Sequence, residues 1–330
     1  MDSAERQRST HRDGHQPVPC LHNADDQTVA AHIDEGRFFW LDLEAPSEEK
    51  LKALGAKLRL HPLTIDDSLT FNERPKIEEF DNYMYLVIYG VDPGASSGSP
   101  LLREVHMIVS GDYVVTIHRR PFAALTDLRK RVGLHPMRSE TFIIYKVLDA
   151  VITTFFPVLT RIDDDIDEIE QQVIDKPDEK ALQRIFGLKR DLVAMRRVVT
   201  PLRDVFARDA ERMTDLPGLE SDDRLYFRDV YDSLIRVSDL VDSYRDLLSG
   251  ATDMYLSTVA NRQGEISKQL TIIATIFLPL TFPTGFFGQN FSFLTNKILD
   301  TTWSFVVFGI GGLVLSVIGF WIFFRRKRWL

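Results

Sequence analysis

Between Asp253 and Gly288 the residues that could do chemistry recur in steps of four and three: Asp253, Ser257, Ala260, Gly264, Ser267, Thr271, Ala274, Leu278, Thr281, Gly285 and Gly288. On a helix this spacing is the seam of a heptad repeat, whose positions normally carry Leu, Ile or Val to fill the space between partner helices. Here nearly every position is small or polar. Several copies around one axis would enclose a narrow polar tube, although small residues also serve close packing between membrane helices. The stripe continues through a water-soluble segment to the carboxylate of Asp253, which favours the tube. Thr281 supplies hydroxyls along it, and Leu278 and Leu270 could form apolar constrictions that close by dewetting. At its outer end stand Gly288, Gln289 and Asn290, and the Asn290 amide is the well-placed polar side chain there. This chemistry suits a hydrated cation. Mg2+ gives up its water reluctantly, the stripe has no anionic ligand in its apolar part to strip it, and amide and main-chain oxygens near Gly285 and Gly288 can hydrogen-bond a water shell instead.

Other candidate chemistry is sparse. Cys20 is the only cysteine of the 330 residues, which excludes an internal disulfide and a cysteine-based zinc site. His11 and His15 lie in a polar tail, and no HExxH spacing occurs. Gly111 and Gly133 stand alone, so there is no Gly-rich nucleotide loop, no organic cofactor is expected, and nothing points to an enzyme. The acids Asp163, Asp164, Asp165, Asp167, Glu168 and Glu170 wrap around a helix without EF-hand spacing and read as a solvated face.

The elements that must position the stripe are long helices. Leu270–Gly288 is nineteen uncharged, mostly apolar residues, about enough to cross a hydrocarbon core of roughly 30 Å. A helix from near Asp222 to Gly288 would be on the order of 100 Å long, a stalk continuous with a membrane span. Pro279 and Pro283 within it free the carbonyls of Thr275 and Pro279, which implies a bend. A second apolar span, Trp303–Phe324, ends in Arg325, Arg326, Lys327 and Arg328. The positive-inside rule places that tail, and with it the large N-terminal part, in the cytoplasm of a plasma membrane. Residues 270–330 carry five basic side chains against Asp300, a net of +4, so the remainder carries −12 of the total −8. An acidic soluble part is a poor nucleic-acid binder and can gather cations.

Upstream, GRFFWLDLE, YMYLVIYGV, REVHMIVSG and DYVVTIHRR are β-rich runs, and the turn DPGASSGSP makes the middle two antiparallel neighbours. SEEKLKALGAKLRL is a capped helix, and HPLTIDDSL a short one. From Ser139 one long helix should run to Lys176, and another from Asp178 to about Met213, interrupted near Pro201. The N-terminal stretch lacks the apolar core of a signal peptide. The organisation expected is a disordered tail (1–35), an α/β domain (36–138), long cytosolic helices (139–221), a stalk (222–269), a first transmembrane helix (270–288), an external loop (289–301), a second transmembrane helix (302–324) and a basic tail (325–330). The fold class is an α+β cytosolic domain, its mixed or antiparallel sheet flanked by helices, joined to a helical stalk and two transmembrane helices.

The block LTIIATIFLPLTF–TGFFGQNF, followed by one more membrane helix and a basic tail, resembles the CorA-type divalent cation channels, whose signature is an aromatic followed by Gly-Met-Asn. FRDVYD at 227–232 and ERPKIEEFDNY at 73–83 extend the resemblance over most of the chain. Gln289 stands in place of the methionine, a position that also varies in the related zinc-transporting ZntB branch. The resemblance implies a homopentamer in the lipid bilayer with five Asn290 side chains at the external mouth. It implies inward movement of Mg2+, with Co2+ and Ni2+ as further cargo, and closure by intracellular Mg2+ bound between subunits. By motif position the regulatory residues are Asp67 and Asp229 from neighbouring subunits, with Asp66 and Asp232 beside them; Asp253, where the stripe begins, is a further candidate cation contact. A ZntB-like, proton-coupled Zn2+ carrier is the alternative. A membrane-anchored structural or signalling protein would leave the stripe unexplained.

Overall fold

A computed structural model describes residues 18–92, 101–132, 140–209, 224–289 and 301–326. Asn290, most of the 289–301 loop and the 327–330 end of the basic tail lie outside them. The chain forms two units, Met1–Thr252 and Asp253–Leu330. The first is built on a six-stranded sheet: β1 (Cys20–His22), β2 (Phe39–Glu44), β3 (Lys76–Glu79), β4 (Met84–Asp92), β5 (Leu101–Val109) and β6 (Tyr113–His118), in the order β1-β2-β6-β5-β4-β3. The β1-β2-β6 portion is parallel, whereas β6-β5-β4-β3 is antiparallel. β4 and β5 are antiparallel neighbours, with Met84 opposite Val109 and Asp92 opposite Leu101, and the turn expected between them lies outside the described residues.

Side chains alternate across a strand, and both sets are buried. Trp40, Leu86, Ile88, Val105, Met107 and Val114 share a core with four helices: α4 (Ala123–Val132), α5 (Glu140–Ile152), α7 (Glu179–Asp209) and the start of α8 (Arg224–Phe287). The alternate set, including Phe39, Leu41, Leu43, Tyr85, Val87, Ile108 and Val115, is equally inaccessible. A sheet covered on both faces suits its parallel portion. α2 (Glu48–Leu58) starts at Ser47, whose hydroxyl accepts from Lys50 N at 3.2 Å, and it buries Leu51, Leu54 and Leu58. α3 (Pro62–Thr70) is tied to the sheet through Tyr83, whose hydroxyl accepts from His61 N at 3.0 Å and meets Thr64 Oγ1 at 2.8 Å.

One polar network is sealed in this core. Asp42 of β2 is fully buried, accepts from Thr116 Oγ1 at 2.6 Å, and lies 3.2 Å from both His118 Nε2 and an Arg129 guanidinium nitrogen. His118 Nδ1 donates to the Arg120 carbonyl at 2.6 Å, so both ring nitrogens face acceptors and only the imidazolium satisfies both. Burial works against each charge. The hydrogen bonds and charge of the partner nevertheless hold the Asp42 carboxyl below its ordinary range and the His118 imidazole above its own.

Several expectations need correction. Residues 20–34 do not belong to a disordered tail. Cys20–His22 pairs in parallel with Trp40–Asp42, and α1 (Asp26–Asp34) follows, capped by Asp25, which accepts from Thr28 N at 2.8 Å, and anchored by buried Val29. β3 and α4 are elements beyond those expected. The helix expected from Ser139 to Lys176 is two: α5 ends at Ile152 and α6 (Phe155–Asp175) begins after a turn. Pro157 lacks the N–H that would reach the Thr153 carbonyl, and Phe156 N takes that acceptor at 3.2 Å instead. Thr154 Oγ1 then donates to Val151 O at 2.6 Å and accepts from Val91 N of β4 at 2.8 Å, docking the break on the sheet. No interruption occurs at Pro201, which lies inside α7. Val198, Val199, Leu202 and Phe206 on either side are buried, and their packing offsets a helix penalty of about 3 kcal/mol.

Candidate ion pathway and regulatory cation site

The stripe is carried by α8, a single helix of 64 residues. Its Arg224–Thr252 part packs into the first unit through Phe227, Val230, Leu234, Val237, Val241, Leu248 and Ala251. Beyond Asp253 the burial stops. Asp253, Gly264, Ser267, Leu270, Thr271, Ala274, Leu278, Thr281, Gly285, Gly288 and Gln289 are all exposed. So are Leu256, Ile266, Ile273, Phe277, Phe282 and Phe286 on the other faces. A helix with such apolar surface needs a covering medium on its outside. The stripe hydroxyls turn back on their own helix: Thr271 Oγ1 donates to Ser267 O at 2.8 Å and Thr281 Oγ1 to Phe277 O at 2.8 Å. With the proton so used, each oxygen offers lone pairs outward, as a hydrated cation requires. α8 ends at Phe287, and Gly288 N closes on Thr284 O at 3.0 Å. A Cβ at Gly288 would stand 3.0 Å from that same carbonyl, so glycine suits the turn leading to the motif.

Three helical stretches are long and apolar enough to cross a membrane: Glu140–Asp175, Arg224–Phe286 and Thr302–Arg326. The first is half buried, and Ile143, Ile144, Val147, Leu148, Val151 and Phe155 are core of the first unit. The other two have no buried share in their apolar windows. The last comprises α9 (Thr302–Ser304), a π-helical segment (Phe305–Gly311) and α10 (Gly312–Arg326). Gly309, Gly311 and Gly312 mark where the winding changes.

The acidic residues lie elsewhere. Asp67, on α3, accepts from Lys76 Nζ at 2.6 Å, and that ammonium also reaches Glu78 at 3.1 Å and Glu73 at 3.8 Å. Partial burial opposes the Lys76 charge, but the hydrogen bonds to Asp67 and Glu78 raise its pKa above the usual lysine value. Asp229, on α8, accepts from the Tyr145 hydroxyl at 2.8 Å, and Tyr145 stacks on Tyr226 with centroids 4.9 Å apart. Burial and then the bond to Asp229 push the Tyr145 phenol up, so it remains a donor. Among the described residues nothing pairs Asp67 with Asp229 inside one chain. Asp66, Asp232 and Asp253 are exposed. No three His, Cys, Asp or Glu side chains converge as a metal site among the described residues. Asp165 and Glu168 of the acidic run hold Arg184 at 2.8 and 3.0 Å. Sequence reasoning missed Lys76 and Tyr145; the alternation of Lys76 with Glu78 on one strand face was the available signal.

A buried mixed sheet flanked by helices, and two helices long and apolar enough to cross a membrane whose apolar stretches are not buried within the chain, are the marks of a membrane protein with a separately folded domain. Residues 35–326 match the family described as "CorA-like Mg2+ transporter protein". The cobalt/magnesium transport protein CorA of Thermotoga maritima is 32% identical over 313 residues, 93% of this chain and 87% of that one. The zinc transport protein ZntB of Pectobacterium carotovorum is 24% identical over 302 residues, 88% of each. The complete structure of the CorA magnesium transporter from Methanocaldococcus jannaschii shares the fold with a TM-score of 0.76 at 24% identity, covering 89% of this chain and 92% of that one. The chain belongs to the CorA-like Mg2+ transporter family: it is a membrane transporter of divalent cations and not an enzyme.

Proposed function

We propose that the protein is a channel-type transporter passing hydrated Mg2+, and with it Co2+ or Ni2+, into the cytoplasm down the electrochemical gradient. The observation that carries this is the exposed stripe of α8, mostly small or polar from Asp253 to Gly288, on a helix whose other faces are largely apolar from Leu270 onward. Five copies around one axis would bring the stripes together, and the Gly288-Gln289-Asn290 motif would surround the external mouth with amides. The membrane potential contributes about 2.3 kcal/mol per charge per 100 mV. That favours entry and makes a closing device necessary. Asp67 of one subunit and Asp229 of the next would supply it by holding Mg2+ between them. The donor set fits: Mg2+ is commonly held by one or two carboxylates while keeping several waters, and among the described residues Asp67 meets Lys76 and Asp229 meets Tyr145, each bond leaving carboxylate lone pairs over.

A second reading has one specific support. Gln289, where related channels carry methionine, leaves room for a ZntB-like Zn2+ carrier driven by protons. Flux of Mg2+, Co2+, Ni2+ and Zn2+ into liposomes, with and without a pH gradient, separates the two. The expected result is Mg2+ entry insensitive to pH in the wild type and abolished in Asn290→Ala with assembly intact. Zn2+ entry that requires a pH gradient would establish the carrier, and near-normal Mg2+ flux in Asn290→Ala would remove that amide from the pathway.

A further inference from the structure

The first unit contains a cleft that the transport reading does not use. It measures about 520 Å³ and lies where the α3–β3 loop, β5, the end of β6 and α7 meet. Arg103, Arg119, Arg120 and Arg197 line it, against one acid, Glu104. Four arginines lining one cavity are conspicuous in a chain of net charge −8. Glu104 cannot neutralise them all, because its carboxylate is already engaged. It accepts from Asn72 N at 2.7 Å, Glu73 N at 2.9 Å and His106 Nε2 at 2.8 Å. Burial opposes this charge, but those bonds hold Glu104 below the usual carboxylate range, as a fixed anchor for the loop. The Phe71–Asn72 backbone at that anchor has φ of 55° and 73°, a conformation such residues seldom adopt unaided. Arg103 is paired with Asp92 at 2.6 Å. Arg120 and Arg197 are exposed, and among the described residues neither has a carboxylate partner.

We infer that this cleft is a binding site for a small phosphate-bearing polyanion, a triphosphate group or the like, held by the Arg120 and Arg197 guanidinium groups with Arg119 between the site and α3. The planar guanidinium fork matches phosphate oxygens two at a time, and the volume is within the ordinary range of small-ligand sites. Recognition is by charge more than by stacking. Tyr89 and Phe122 are buried, and Phe71 is covered by the Arg119 guanidinium 4.8 Å above its ring. Arg119 links the cleft to regulation, in a step that rests on the proposed role of Asp67. Its guanidinium donates to Leu69 O at 3.1 Å and Thr70 O at 2.6 Å, the last carbonyls of the helix that carries Asp67. An anion drawing on Arg119 loosens that helix end, so occupancy raises the internal Mg2+ needed for closure.

Calorimetric titration of sodium triphosphate, and separately of ATP, into the full-length protein in Mg2+-free detergent solution tests the site independently of transport. Saturable binding of both at comparable affinity is expected. It should weaken about tenfold or more in Arg120→Ala/Arg197→Ala, given the worth of charge-assisted hydrogen bonds, and stay unchanged in the exposed control Lys180→Ala, while cation flux of both variants remains that of wild type. No saturable binding to wild type, equal binding to the double variant, or binding of ATP without triphosphate would each overturn the assignment. Should the double variant instead weaken the oligomer while wild type binds neither probe, the cleft belongs to a neighbouring copy and the proposal fails.

Discussion

At the residue scale, the same type of side chain does different work according to what surrounds it. Asp42 and Asp67 are both ion-paired, yet Asp42 is sealed among Thr116, His118 and Arg129 while Asp67 shares one lysine with two other acids at the surface. The first pattern is structural and carries a pH signature. His118 has a folded-state pKa raised above 6.5, so its contribution is fully present below 6.5 and is lost as pH rises through the folded value. Asp42 titrates below 3.8 and stays charged across that range. Wild type should therefore melt higher at pH 6 than at pH 8.5 through this pair. In His118→Gln that difference should shrink, with the larger loss of melting temperature at pH 6. An equal loss at both values would show that the imidazolium is not what holds the Asp42 charge.

Elements in this chain are terminated and joined by single residues whose effects reach across the sheet. The break between α5 and α6 rests on β4 at Gly90. A Cβ there would come within 2.7 Å of the Phe122 ring, 2.8 Å of the Val151 carbonyl and 2.9 Å of Thr154 Oγ1. The ring can yield a little, but the carbonyl belongs to a helix end and cannot. Gly90→Ala should cost on the order of 1–3 kcal/mol, the usual range for overpacking a tight core, seen as a lower melting temperature of the full-length protein. An unchanged melting temperature would mean the two helices can part from β4 at no cost. Along α8 the logic is reversed: glycines 264 and 285 have open space where a Cβ would go, so among the described residues their smallness serves no contact.

The whole molecule has unfinished surfaces, and these bear its function. Exposed apolar faces on α8 and α10 call for lipid or further copies, and on the proposed mechanism Asp67 would meet the Asp229 of a neighbouring subunit across a shared cation. On the proposed mechanism a cation binding at Asp67 must displace Lys76. Asp67→Asn should raise the internal Mg2+ that closes the current several-fold. Lys76→Met, which frees the carboxylate, should lower it. Glu78, already 3.1 Å from the ammonium, keeps Lys76 satisfied in the first variant. Patch-clamp recording over a series of internal Mg2+ concentrations decides this; closure over the wild-type range in both variants would exclude Asp67 as the sensor. A ligand can bias the two states only by its difference in affinity for them, and equivalent sites around a ring would multiply that difference.

Features written in neighbouring residues were legible without a structure. The four-and-three spacing, the nineteen uncharged residues up to Gly288, the Ser47 cap and the antiparallel pairing of the runs at 84–92 and 101–109 all depend on residues near one another in the chain, where periodicity and turn chemistry act directly. The family resemblance came from blocks of the same kind. Tertiary structure alone decided what joins distant segments. The three residues of β1 and four of β3 are too short to signal themselves and exist because β2 and β4 offer edges. Pro201 stays within its helix because packing on both sides outweighs a local penalty, and Thr153–Thr154 breaks because β4 takes the hydroxyl of Thr154. Arg129 reaches Asp42, and Lys76 reaches Asp67, only once strands and helices are placed. Ion pairs of this kind carry no periodic trace, because charge acts through distance in space and the fold alone sets that distance.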